Sequence, residues 1–130
     1  MEKFLPILNV IQIRLREILN RNRDGISSWD SKKLKDVGDD LIRLSADVHS
    51  QLALVEHRIL YQSIREAGLG IRRRAMLIKN REISDEDKEY FESVYEALLN
   101  LCQKIESGEY YSALLEMAKK KERKENDYPS

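Results

Sequence analysis

Two histidines, one cysteine, a run of carboxylates and three consecutive arginines are the side chains of this 130-residue chain whose types and spacing invite chemistry. His49 and His57 stand eight residues apart, about two helical turns, so a helix would put them on one face. A zinc site needs further ligands close by. Glu56 is adjacent in sequence but projects about 100° away from His57 on a helix. The histidines therefore read as ordinary polar residues, and no metal is expected. Cys102 sits inside an apolar pattern, which suits a small buried hydrophobe better than a nucleophile. Asp85, Glu86, Asp87, Glu89, Glu92 and Glu96 have the residue type for acid–base work. Their position fits a helix N-terminus with a solvated face better. The chain contains no GxxxxGK[ST], GxGxxG, CxxC or HExxH. The expectation is a protein without catalytic residues and without a cofactor.

The arginines are the most informative charged group. Arg72, Arg73, Arg74, Lys79 and Arg81 run without an acid before Glu82. On a helix the three consecutive arginines fan through about 200°, so they cannot all meet one phosphate backbone. At least one should turn toward a neighbouring helix and pair with an acid there. Arg72, Arg73, Arg74 and Lys79 are the candidate charged partner contact. The same run, with the basic tail from Lys119 to Lys124, supports an alternative reading as a small helical nucleic-acid-binding protein. Against it stands a plainer reading, a solvated face with partly buried arginine stems. Tyr110 and Tyr111 read as packing or interface residues. Trp29, placed before the second helix, would lock its loop or anchor a partner.

These side chains need helices to hold them. Apolar residues make up 42% and charged residues 35%, with five glycines and two prolines, too few turn residues for an all-β fold. Apolar residues recur at helical spacing in four or five segments. The first helix spans about Leu5 to Arg21, with Pro6 in its first turn. Leu8, Ile11, Leu15, Ile18 and Leu19 form one stripe, and Ile7, Val10 and Ile13 widen it. The second spans about Ser31 to His49 and buries Leu34, Val37, Leu41, Leu44 and Val48. Arg23 to Ser28 form the loop before it, with Ser28 or Asp30 as its cap. The third and longest covers about Gln51 to Lys79, with Leu52, Val55, Ile59, Ile64, Ile71, Ala75 and Ile78 toward the core. Its Gly68 and Gly70 mark a bend or a close helix crossing, or else a break into two helices.

Ser84-Asp85-Glu86-Asp87 has the form of a capping box and opens the fourth helix. Tyr90, Phe91, Val94, Leu98, Leu101, Cys102 and Ile105 follow, and Gly108 stops it. A short fifth helix covers about Tyr110 to Lys119. The fold class is thus all-α, a bundle of four to five helices with one long central helix. Residues 1–118 form the helical domain and 119–130 a charged tail or linker. Lys plus Arg and Asp plus Glu number 23 each, so overall charge points to no partner class. A lone cysteine makes no internal disulfide. No apolar run reaches membrane-spanning length and the start lacks signal-peptide features. The expected location is cytoplasmic (nuclear in a eukaryote), with no membrane association.

Val55-Glu56-His57-Arg58-Ile59, the Ile71-Arg72-Arg73-Arg74 to Lys79 stretch and Ile83-Ser84-Asp85-Glu86 together resemble the helical A domain of GINS subunits, the replication-factor family of archaea and eukaryotes. Glu56, Arg58, Ile59, Arg74, Lys79, Ser84 and Glu86 stand at comparable places. The likeness is best over about residues 50 to 100 and lacks the small β-rich B domain of that family. The charged tail sits where a linker to such a domain would begin. The resemblance implies a non-catalytic scaffold subunit of a DNA replication complex. It would assemble with itself or with related GINS-like subunits, and with an MCM helicase and a RecJ-like protein, with weak or no direct DNA binding. The broad apolar surface of the first helix independently suggests a partner. Leu5, Ile7, Ile11, Leu15 and Ile18 are the candidate subunit interface.

Overall fold

A computed structural model describes residues 1–21, 28–51, 57–78, 84–110, 112 and 116, and these are helical almost throughout. A single 3₁₀ turn, Glu2–Phe4, leads into α1 (Leu5–Arg21). Then come α2 (Ser28–Gln51), α3 (Arg58–Ile78) and α4 (Asp85–Ser107). Among the described residues there is no strand, and the fold is an all-α helical bundle.

The bundle runs up and down. The start of α2 meets the end of α3, where the Ser31 hydroxyl donates 2.6 Å to the Ala75 carbonyl. The end of α2 meets the start of α3, where His49 and Tyr61 rings lie 4.5 Å apart. Arg14 of α1 reaches Asp40 of α2, and Arg74 near the end of α3 reaches Asp87 in the first turn of α4. Helix α1 packs on both α2 and α4.

The core follows the helical stripes. Leu8, Ile11, Leu15 and Ile18 from α1 are buried. They meet Leu34, Val37, Leu41, Leu44 and Val48 of α2, Ile64, Ile71 and Ala75 of α3, and Phe91, Val94, Leu98 and Ile105 of α4. Each of the Val, Leu, Ile and Phe side chains contributes roughly 1.5–3 kcal/mol on burial. Met1 and Phe4 join this core from the 3₁₀ turn ahead of α1.

Two boundaries and the burial of one residue differ from expectation. Helix α2 starts at Ser28, so Trp29 lies in its first turn rather than in a loop. Gln51 ends α2 instead of opening α3, which makes α2, at 24 residues, longer than α3 at 21. Ile59 is 67% exposed rather than in the core. It precedes Ile64 by five residues, which turns it about 140° away from the Ile64–Ile71–Ala75–Ile78 face. Leu52 and Val55, Lys79, Tyr111, most of the fifth helix and the tail from Lys119 fall outside the described residues.

Gly68 and Gly70 do not break α3. Gly68 faces Gly38 of α2 at a close crossing. A Cβ on either glycine would stand 2.8 Å from the other's carbonyl oxygen, closer than real carbon atoms approach. Only hydrogen fits between these backbones. The cost of glycine in a helix, about 1 kcal/mol each, is offset by the intimate α2–α3 seam. Gly70 has another role, since the Tyr90 hydroxyl occupies the space its Cβ would take.

Candidate interaction surface

Helix α1 presents two faces. The inner one holds Leu8, Ile11, Leu15 and Ile18. The outer one holds Ile7, Val10 and Ile13, which are 46%, 48% and 47% exposed. The helical rotation explains the division. Successive steps of three residues fall about 60° behind a full turn, so Ile7, Val10 and Ile13 wind progressively away from the core. Beside this face, Pro6, Ile7 and Val10 line a groove of about 420 Å³ against Arg43, Leu44 and Asp47 of α2. The Arg14–Asp40 ion pair, 3.1 Å and largely solvated, also lines it. Such exposed pairs contribute at most about 1 kcal/mol.

This geometry corrects the candidate interface in part. Ile11, Leu15 and Ile18 are core residues of this chain and are closed to a partner while the bundle is folded. Leu5 is half-buried against the same core. Ile7 alone of the five is well exposed, and it lies beside Val10 and Ile13, which are not among the five. Apolar type was the visible signal, and rotation about the helix axis was the discriminating one.

The arginine run divides as the 200° fan requires. Arg74 turns inward and donates 2.8 Å to Asp87 Oδ1. Its guanidinium also lies 4.2 Å from the centre of the Tyr90 ring. Asp87 is buried, and its other oxygen accepts the Ser84 backbone N–H at 3.2 Å while the Asp87 N–H donates to the Ser84 hydroxyl. The capping box and the ion pair thus share one carboxylate. Burial raises the Tyr90 phenol above its ordinary range, an effect that Arg74 and Arg73 oppose. Arg72 leans toward Asp39 of α2 at 3.6 Å. Arg73 remains exposed. Lys79 lies outside the described residues.

The remaining chemical candidates separate. His49 is exposed against Tyr61, and buried His57 pairs through Nδ1 with the Tyr110 hydroxyl at 2.5 Å, so the two histidines serve different contacts. Among the described residues no cluster of three or more His, Cys, Asp or Glu could hold a metal ion. Cys102 is buried in the core, and desolvation pushes its thiol up, with Glu106 adding to the shift. Among those residues no helix is long and apolar enough to cross a membrane. The chain matches no protein-family model, no curated protein and no solved structure at a significant level.

Proposed function

We propose that this chain is a non-catalytic assembly module that docks a helical partner, a related chain or a second copy, on the outer face of α1. The observation that carries the reading is the row Ile7, Val10 and Ile13, each close to half exposed on a helix whose other apolar face is already buried. Ile7 and Val10, one turn apart, border an apolar groove, and Ile13 extends the exposed apolar surface one turn further. Covering that patch removes apolar area from water at roughly 25 cal/mol per Å². Arg14, Arg43, Asp40 and Asp47 frame it with both signs of charge, the pattern of an apolar centre and a polar rim.

The finer form of the proposal is a scaffold subunit of a replication-helicase accessory complex. It is supported by the resemblance of the α3–α4 segment to the helical domain of GINS subunits, including the Arg74 and Ser84 positions that here form the α3–α4 junction. The alternative reading, nucleic-acid binding by Arg72 to Arg74, has lost one of its three cations to Asp87 and has a second beside Asp39. Sedimentation equilibrium of the chain, alone and mixed with a GINS-type helical subunit, tests the proposal. At about 0.5 M salt, where charge contacts are screened, association that disappears in Ile7→Glu/Val10→Glu while the helical spectrum persists is the expected result. A strict monomer that captures no helical subunit overturns it.

A further inference from the structure

Neutral overall, the chain carries one exposed basic line on α3 and one exposed acidic line on α4. Arg58, Arg65 and Arg72 are exposed on α3 at intervals of seven residues. Seven residues is nearly two turns, so the three form a line that drifts about 20° per step. Leu69 and Met76, both exposed, continue that line, and exposed Arg73 borders it. On α4 the exposed residues Asp85, Glu89, Glu92 and Glu96 form a second line. It also repeats every seven residues, from Asp85 to Glu92 and from Glu89 to Glu96. Both lines therefore carry charge with the same axial period, about 10.5 Å.

Among the described residues, Arg72 is the one member of either line in an ion pair. Among the described residues no ion pair joins Arg58, Arg65 or Arg73 to an acid, and none joins Asp85, Glu89, Glu92 or Glu96 to a base. Arg72 has only the long, solvated approach to Asp39. The α3–α4 ion pair within one molecule is made instead by Arg74 and Asp87.

We infer that the acidic line of α4 docks on the arginine line of α3 in a second copy of this chain. Equal period and opposite sign let several pairs form in register, with exposed Leu69 between Arg65 and Arg72 and exposed Met76 one turn beyond Arg72 to be covered. Complementary stripes of this kind speed encounter and fix orientation more than they add raw affinity. The two lines are different surfaces, so the contact is head-to-tail, and it propagates to a ring or a filament. It uses no residue of the α1 face and stands or falls separately from it.

The test uses the full chain carrying Ile7→Glu/Val10→Glu, which removes the α1 contact. This parent is compared with two versions that add either Glu89→Arg/Glu92→Arg or Arg65→Glu/Arg73→Glu, each checked for helix by circular dichroism. Sedimentation velocity is run at about 0.02 M and about 0.5 M salt, on either side of the concentration where the Debye length is about 10 Å. The parent should associate at low salt and dissociate at high salt. Each charge-reversed version should associate more than roughly tenfold more weakly. Their equimolar mixture should regain association, because the reversed α4 of one then faces the reversed α3 of the other. A parent that is monomeric at low salt, a reversal without effect, or a mixture of folded variants that stays monomeric overturns the inference. So does a parent that stays monomeric but binds a short DNA duplex through Arg65 and Arg73, which assigns the arginine line to nucleic acid.

Discussion

Helix α2 has two flanks that differ in kind. Toward α3 it closes to backbone contact at Gly38 and Gly68, with no room for a methyl group. Toward α1 it leaves a groove whose wall carries half-exposed Ile7 and Val10. The same helix thus makes one seam that is complete and one that is open at its outer edge. A complete seam contributes to the fold and has nothing left to offer a partner. An open edge lined with apolar side chains gains free energy when something covers it.

Substitutions at the closed seam should have the largest effect on stability. Gly68→Leu drives a branched side chain into the Gly38 carbonyl and into Leu41 and Ile42. A loss of at least about 3 kcal/mol is expected from such overpacking, read as a lower urea midpoint. Helix α1 sets its two faces against each other in the same way. Leu8→Ala, fully buried, should cost about 2–5 kcal/mol. The outer-face pair Ile7→Glu/Val10→Glu should shift stability by no more than about 0.5 kcal/mol per site. If the outer pair destabilised the monomer as much as Leu8→Ala, the two faces of α1 would not differ as described.

The α3–α4 junction lies between these extremes. Asp87→Ala removes the Arg74 partner and one half of the capping box together. Because Arg74 keeps about a third of its side chain in water, 34%, it can rehydrate, and a loss of roughly 2 kcal/mol is expected. Ser84→Ala removes only the other half of the box and should cost about 1 kcal/mol. Equal losses at the two positions would show that the ion pair adds nothing beyond the cap. The groove's solvated rim should matter as little as the outer face of α1. Arg14→Ala should change the urea midpoint by the equivalent of less than about 1 kcal/mol, since its pair with Asp40 is exposed.

The Ser84 cap is legible in the sequence, because Ser at the N-cap and an acid at N3 meet only by sequence-local hydrogen bonds. The core stripes of α1, α2 and α4 are legible for a related reason: helical period and burial coincide when one face is apolar and the rest is charged. Ile59 and most of the expected interface residues are not, because apolar residues there cover more than one face and type no longer specifies direction. Which part of the wide apolar surface of α1 stays open, here Ile7, Val10 and Ile13, depends on how α1 packs against α2 and α4.

The residues of this chain determined by themselves an all-α bundle, its capped fourth helix, its buried Cys102 and a fan of arginines that had to divide. Local hydrogen bonds and the 3.6-residue turn suffice for each of these. Tertiary structure alone decided that Gly68 meets Gly38, that Arg74 rather than Arg73 takes the buried carboxylate, and that Ile7, Val10 and Ile13 remain outside. Those outcomes depend on distances between residues far apart in sequence, which helix packing sets and periodicity does not encode.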